Sequence, residues 1–236
     1  MSASAKAIQA ELKKLSNEKD AEFLQRFFKT AEGQYGHGDR FRGIRVPVSR
    51  QVVKKHSDAD LDTAIELLGS DFHEDRLVAL LIMVEMYNKG DDKLRQHVYK
   101  AYLSKTDRIN NWDLVDSSAP YIVGRHLMER DRKPLYRLAV SKSLWERRIA
   151  VLSTFYFIKF KQFDDALAIA EKLLADKEDL MHKAVGWMIR EVANRDGDAA
   201  RKFLRRHYTK MPRTMLRYAI EKFPEAERQS YLKGTA

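Results

Sequence analysis

Apolar residues return every three or four positions along almost the whole chain: Ile8, Leu12 and Leu15; Leu61, Ala64, Ile65 and Leu68; Leu167, Ala170, Leu173 and Leu174. This is the spacing of helices that bury one face. Nowhere does the two-residue alternation of a half-buried strand persist. Asp58 ahead of LDTAIELL, Ser143 ahead of LWERRIAVL and Pro212 opening RTMLRYAIEKF mark helix starts, while Gly69, Gly90 and Gly197 mark ends or connections. The stretch from 31 to 47, AEGQYGHGDRFRGIRVP, breaks the pattern. It holds Gly33, Gly36, Gly38 and Gly43, four of the ten glycines, and is predicted to be the only long loop.

Short helices joined by short turns gain a shared core by stacking as repeats. FHEDRLVALLIM (72–83) aligns with LWERRIAVLSTF (144–155) and superposes Arg76 on Arg148, 72 residues later, or two repeats of 36. Half that offset falls on Trp112, and further steps of 35 reach Lys183 and Tyr218. Such spacing predicts an all-α chain: a right-handed α-solenoid of HEAT-like two-helix repeats with a concave face, forming a single domain over 1–236. Residues four apart share one side of a helix. Trp112 therefore brings Asp116, and Lys183 brings Trp187, so that Arg76, Trp112, Asp116, Arg148, Lys183 and Trp187 are expected to form one ridge, extended by Arg213 and Arg217. Equivalent tryptophans could instead be inter-helix core, Asp116 a helix cap, and Arg148 the partner of Glu146 or Asp75. The arginines and lysine in the same register favour a groove, since cations are rarely buried unless paired.

Charge narrows the choice of partner. With 44 Lys and Arg against 34 Asp and Glu, the net charge is +10 and the pI about 9.6, which suits an extended polyanion. The 236 residues, 44% of them hydrophobic, can bury a sizeable core. There are no cysteines, which excludes disulfides, thiolate zinc sites and thiol nucleophiles. The N-terminal MSASAKAIQAELKKL reads as an amphipathic helix rather than a signal sequence, and no apolar run approaches the roughly 20 residues of a membrane span. A cytoplasmic protein with no membrane partner is expected. Histidines at 37, 56, 73, 97, 126, 182 and 207 lack metal-ligand spacing and read as surface or packing residues, so neither a metal nor a cofactor is expected. No G-x-S-x-G elbow occurs, and Ser117 and Ser118 have no local histidine.

Two indoles, a carboxylate and several cations make chemical sense if the target is itself cationic. Alkylation at N3 or N7 of a purine puts a positive charge on the base, so the base departs neutral and needs no general acid. What remains to be stabilised is the sugar cation, a task for one carboxylate, here Asp116. Indole faces attract cations by roughly 0.5–2 kcal/mol, which suits Trp112 and Trp187. Arg148 would hold a nearby phosphate, with Lys183, Arg190, Arg213 and Arg217 making further backbone contacts.

NNWDLVDSSAP (110–120), WERRIAVL (145–152), HKAVGWMIREV (182–192) and RTMLRYAIEKFPE (213–225) resemble the AlkD-type DNA alkylation repair glycosylases, with similarity from about residue 20 onward. The resemblance implies a HEAT-like fold and hydrolysis of N3- and N7-alkylpurine glycosidic bonds in duplex DNA, without a metal and without flipping the lesion into a pocket. It implies Asp116 as the catalytic carboxylate, Trp112 and Trp187 as sugar-contacting indoles and Arg148 as the active-site arginine, in a monomer associated with the bacterial nucleoid during repair. Arg76 is expected among the DNA contacts. Where relatives can carry a tyrosine, this chain reads QRFFKT, leaving Phe27 or Phe28 as a stacking surface without a hydroxyl; Tyr35, in the glycine-rich loop, is the candidate substitute. That loop matches no nucleotide-binding pattern and is expected to be a mobile DNA contact. The competing reading is a HEAT-repeat protein that binds damaged or branched DNA without chemistry, and a weaker one is a protein-binding solenoid.

Overall fold

The computed structural model describes residues 3–236. Among them helices are the only extended elements, apart from one isolated bridge between Arg40 and Phe72. The chain forms two compact units, one ending at Ser118 and the other running from Ala119 to Ala236.

The first unit contains α1 (Ala5–Lys14), α2 (Glu18–Phe27), α3 (Val46–Lys55), α4 (Leu61–Leu68), α5 (His73–Lys89), α6 (Asp92–Ser104) and the short α7 (Trp112–Asp116). Side chains that accept a first-turn N–H start most of them: Ser4, Asn17, Asp91, and Asp60 rather than Asp58 for α4. The cap lies two residues beyond Asp58: Asp60 Oδ1 accepts from Thr63 N–H at 2.9 Å. Helix α5 is the centre of the unit. It is buried continuously from His73 to Met83, and α1, α3, α4, α6 and α7 all pack on it.

The second unit contains a π-helical turn, Pro120–Gly124, followed by α8 (Arg125–Leu127), α9 (Lys133–Leu138), α10 (Leu144–Lys159), α11 (Asp164–Lys172), α12 (Asp179–Ala193), α13 (Gly197–His207), α14 (Arg213–Ala219) and α15 (Glu225–Lys233). Its central helix is α10, capped by Ser143 and buried from Arg148 to Thr154. The internal alignment superposes α10 on α5, and both are enclosed on most sides; helix pairs α4–α5, α9–α10 and α11–α12 recur, and α10, α12 and α14 pack in series. The packing of α12 on α14 needs a glycine: a Cβ on Gly186 of α12 would sit 2.5 Å from the Met215 carbonyl and 2.6 Å from Tyr218 Cβ. No helix among the described residues is long and apolar enough to cross a membrane.

Candidate functional site

In the first unit, α7 carries Trp112 at its first residue and Asp116 at its last, one turn apart and both half-buried. Trp112 lies on a layered stack. Its ring is 5.2 Å from Phe28 at 19°, Phe28 is 5.0 Å from Phe41 at 21°, and Phe41 is 4.5 Å from the His73 imidazole at 21°. Phe27 meets the Trp112 edge at 6.1 Å and is 53% exposed. Of the two phenylalanines in QRFFKT, Phe28 is thus the buried support of the indole and Phe27 the surface ring. Phe23 stacks on Phe27 and carries the Arg45 guanidinium 5.1 Å from its centroid.

Below the stack, four consecutive polar residues at the start of α5 are buried, and each has a task. His73 Nε2 is 2.8 Å from Asp113 Oδ2 and its Nδ1 2.9 Å from Asp39 Oδ2. Burial works against charging the ring, but the carboxylates of Asp113 and Asp39 outweigh it and raise the His73 pKa from 6.5 to about 9. Both ring nitrogens then donate. Asp39 is held below the usual carboxylate range: burial opposes ionisation, and His73 and Arg76 overcome it. Glu74 accepts N–H groups of Arg42 at 2.8 Å, Gly43 at 2.8 Å and Ile44 at 3.1 Å. Asp75 takes Arg42 through two hydrogen bonds of 2.6 and 2.9 Å.

These bonds alter two expectations. The glycine-rich segment is a loop, but residues 39–44 are pinned from below by α5 rather than free, and its end is zipped to α2 by Asn17 N–H donating to Arg42 O at 2.9 Å. Gly43 is required there: its φ is +80° and a Cβ would fall 2.0 Å from the Asn17 carbonyl. The loop also stops at Arg45, because Pro47 lies in the first turn of α3. Arg76, expected to contact DNA, is instead 3% exposed and bound to Asp39 at 2.6 Å and to the Ser70 carbonyl at 3.1 Å. A buried, paired guanidinium cannot mark a groove-facing register. Tyr35 is half-buried in the loop.

In the second unit, Arg148 on α10 is likewise only 5% exposed and donates to the Leu180 carbonyl at 2.7 Å. Asp75, a suggested partner, is committed to Arg42. On α12, Trp187 is half-buried beside Phe155, at 6.0 Å, and its Nε1–H donates to Glu191 Oε1 at 3.0 Å; Arg195 braces the same carboxylate at 2.7 Å. Lys183 pairs with Asp179 at 2.8 Å and Arg190 with Glu221. Arg213 and Arg217, on α14, are exposed, and Arg213 donates to the Leu232 carbonyl at 2.7 Å.

The sequence pattern of the DNA alkylation repair enzymes matches residues 8–223, through both units. The chain belongs to this family. A solved structure described as a predicted DNA alkylation repair enzyme from Enterococcus faecalis is similar in fold, with a TM-score of 0.68 and 17% identity, over 89% of this chain and 97% of that one. No curated protein matches the chain. Within this repair protein, Trp112 and Asp116 come together on α7, and Arg148, Lys183 and Trp187 come together on the packed pair α10 and α12. Phe28 was expected as a stacking surface and does stack on Trp112; sequence reasoning missed His73, Asp39, Asp113 and Glu191 as residues that set the candidate side chains. One signal was present: HEDR, four polar residues in a row leading a helix that is apolar on every face, must be satisfied internally.

Proposed function

We propose that this DNA alkylation repair protein is a monofunctional glycosylase that releases N3- and N7-alkylated purines from duplex DNA. One observation carries the reading: α7 presents a stacked indole and a carboxylate one turn apart, which suits a cationic base and a developing sugar cation respectively. As the C1′–N bond breaks, its electron pair neutralises the alkylated base. Water adds to the C1′ cation and releases its proton to solvent, and Asp116 stabilises the cation and orients that water. The departing base is already charged, so the step as written calls for no metal or cofactor. Trp187 and Arg148 enter the proposal through the sequence resemblance, and Lys183, Arg190, Arg213 and Arg217 as phosphate contacts; the burial of Arg148 suits it to hold backbone shape at Leu180 as well as charge.

The test is chromatographic detection of free 7-methylguanine and 3-methyladenine from methylated duplex DNA. Asp116→Asn is expected to slow release by about 100- to 1,000-fold while leaving the helical spectrum unchanged. Unchanged release by a folded Asp116→Asn protein would remove Asp116 from the mechanism. Salt-sensitive duplex binding with no base release by the wild type would make the protein a non-catalytic binder of damaged DNA.

A further inference from the structure

Helix α7 is five residues long, too short to hold a conformation by its own hydrogen bonds. Its start is fixed by side chains instead. Asn111 Oδ1 accepts Trp112 N–H at 2.8 Å, and Asp113 Oδ1 accepts Leu114 N–H at 2.9 Å. Both residues are tied in turn to one point beneath them: Asp113 Oδ2 to His73 Nε2 at 2.8 Å, and Asn111 Nδ2 to Asp39 Oδ2 at 3.4 Å.

We propose that His73 is a positioning residue for the repair chemistry: by bridging Asp39 of the loop and Asp113 of α7 it fixes the start of α7, and so holds Trp112 and Asp116 in their working geometry. The proposal rests on the glycosylase reading for its catalytic consequence. The groups facing His73 are Asp39 from the loop, Asp113 and Asn111 from the approach to α7, and the rings of Phe28 and Phe41, with Arg76 of α5 behind Asp39. Glu74 and Asp75, its neighbours on α5, are spent on the loop backbone and on Arg42. The set balances two carboxylates with one guanidinium and one imidazolium, so the bridge is complete only while His73 keeps its proton. A neutral ring has a single donor and must release one partner. Asp113, with a side chain 16% exposed against 3% for Asp39, is the one water can recover. Deprotonation therefore frees the α7 end of the bridge first.

The deciding experiment follows Trp112 alone, by emission maximum and iodide quenching in a Trp145→Phe/Trp187→Phe background, alongside single-turnover base release and duplex affinity in the otherwise native protein. His73→Gln should shift Trp112 emission to the red and raise its quenching. It should slow base release by about 10- to 100-fold with duplex affinity unchanged, since small misplacements of reacting groups cost rate rather than binding. In the protein with His73 intact, the same change in Trp112 should appear as pH rises through about 9, and Asp113→Asn, whose amide can donate to Nε2 of a neutral ring, should abolish this pH dependence. If His73→Gln fails to fold, this pH titration decides alone. A Trp112 signal that is flat between pH 7 and 10 in the presence of His73 overturns the proposal, as does a folded His73→Gln protein with native emission and native release. If the wild type releases no base at all, the glycosylase reading falls while the Trp112 measurement still judges the bridge.

Discussion

Raising the pH from 6 to 9 should destabilise the first unit through one residue. Unfolded, His73 titrates near 6.5; folded, it holds its proton to about 9. A group whose folded pKa is raised contributes stability that is fully present below the unfolded value and is lost as pH climbs through the folded one. The window is thus about 6.5 to 9, and the loss corresponds to about 3 kcal/mol at most, each pKa unit carrying about 1.4 kcal/mol. That is a sizeable share of the roughly 5–15 kcal/mol that typically holds a domain together. Asp39 does not blur the result, because its depressed pKa contributes stability lost only on the acid side. Tyr102, fully buried and hydrogen-bonded to Ser118, is pushed upward and opposes folding only at pH values above the window. The assay is urea denaturation followed by Trp112 emission in the Trp145→Phe/Trp187→Phe background at pH 6, 7.5 and 9, with and without His73→Gln. The protein with His73 should lose about 2–3 kcal/mol across the range, and His73→Gln should be nearly flat. Parallel pH profiles for the two proteins would refute the protonated bridge.

Other outcomes follow from the same geometry. Gly186→Ala forces a methyl against the Met215 carbonyl and Tyr218, and should cost about 1–3 kcal/mol in thermal unfolding of the second unit. Glu74→Gln turns a donor toward backbone N–H groups that now share two carboxylate oxygens; it should cost about 1–3 kcal/mol and expose residues 31–45 to limited proteolysis. Replacing Arg213 and Arg217 by alanine should weaken duplex binding without changing base preference, and reduce the slope of log affinity against log salt by up to about 1.8, near 0.9 for each phosphate no longer neutralised. Glu191→Gln keeps an acceptor for Trp187 Nε1–H but removes the Arg195 ion pair, so it should perturb Trp187 less than Glu191→Ala, read by emission in a Trp112→Phe/Trp145→Phe background.

Helix identity was written in the sequence because a 3.6-residue period coincides with strong helix formers, Ala, Leu, Glu and Lys, as in α1, α4 and α11. The alignment of α5 with α10 was legible for a related reason: both central helices need the same apolar run behind a polar start. That same resemblance misled on exposure. A register shared by Arg76, Arg148 and Lys183 suggested a solvent-facing edge, yet only Lys183 lies near the surface, because Asp39 and the carbonyls of Ser70 and Leu180 make burial tolerable for the two arginines. These partners are 6 to 37 residues away in sequence, and no local pattern announces them. The indole and carboxylate of α7 were legible through i, i+4 spacing, and QRFFKT offered a phenylalanine to stack; the rest of the support was not legible, since Phe41, His73 and Asp39 meet beneath Phe28 only through the fold of the loop.

The brevity of α7 bears on how such a site could be moved or copied. A peptide carrying NNWDLVD, or that segment grafted onto another helical scaffold, would bring the indole and the carboxylate but not the angle between them, because that angle is held by an imidazole some forty residues upstream and an aspartate in a distant loop. Transplanting the motif means carrying a three-piece joint: the loop end with Asp39, the polar head of α5, and the Asn111–Asp113 start of α7. Substitutions are better tolerated at Phe23 and Phe27, whose rings are exposed and stand outside its hydrogen bonds, than anywhere along that joint.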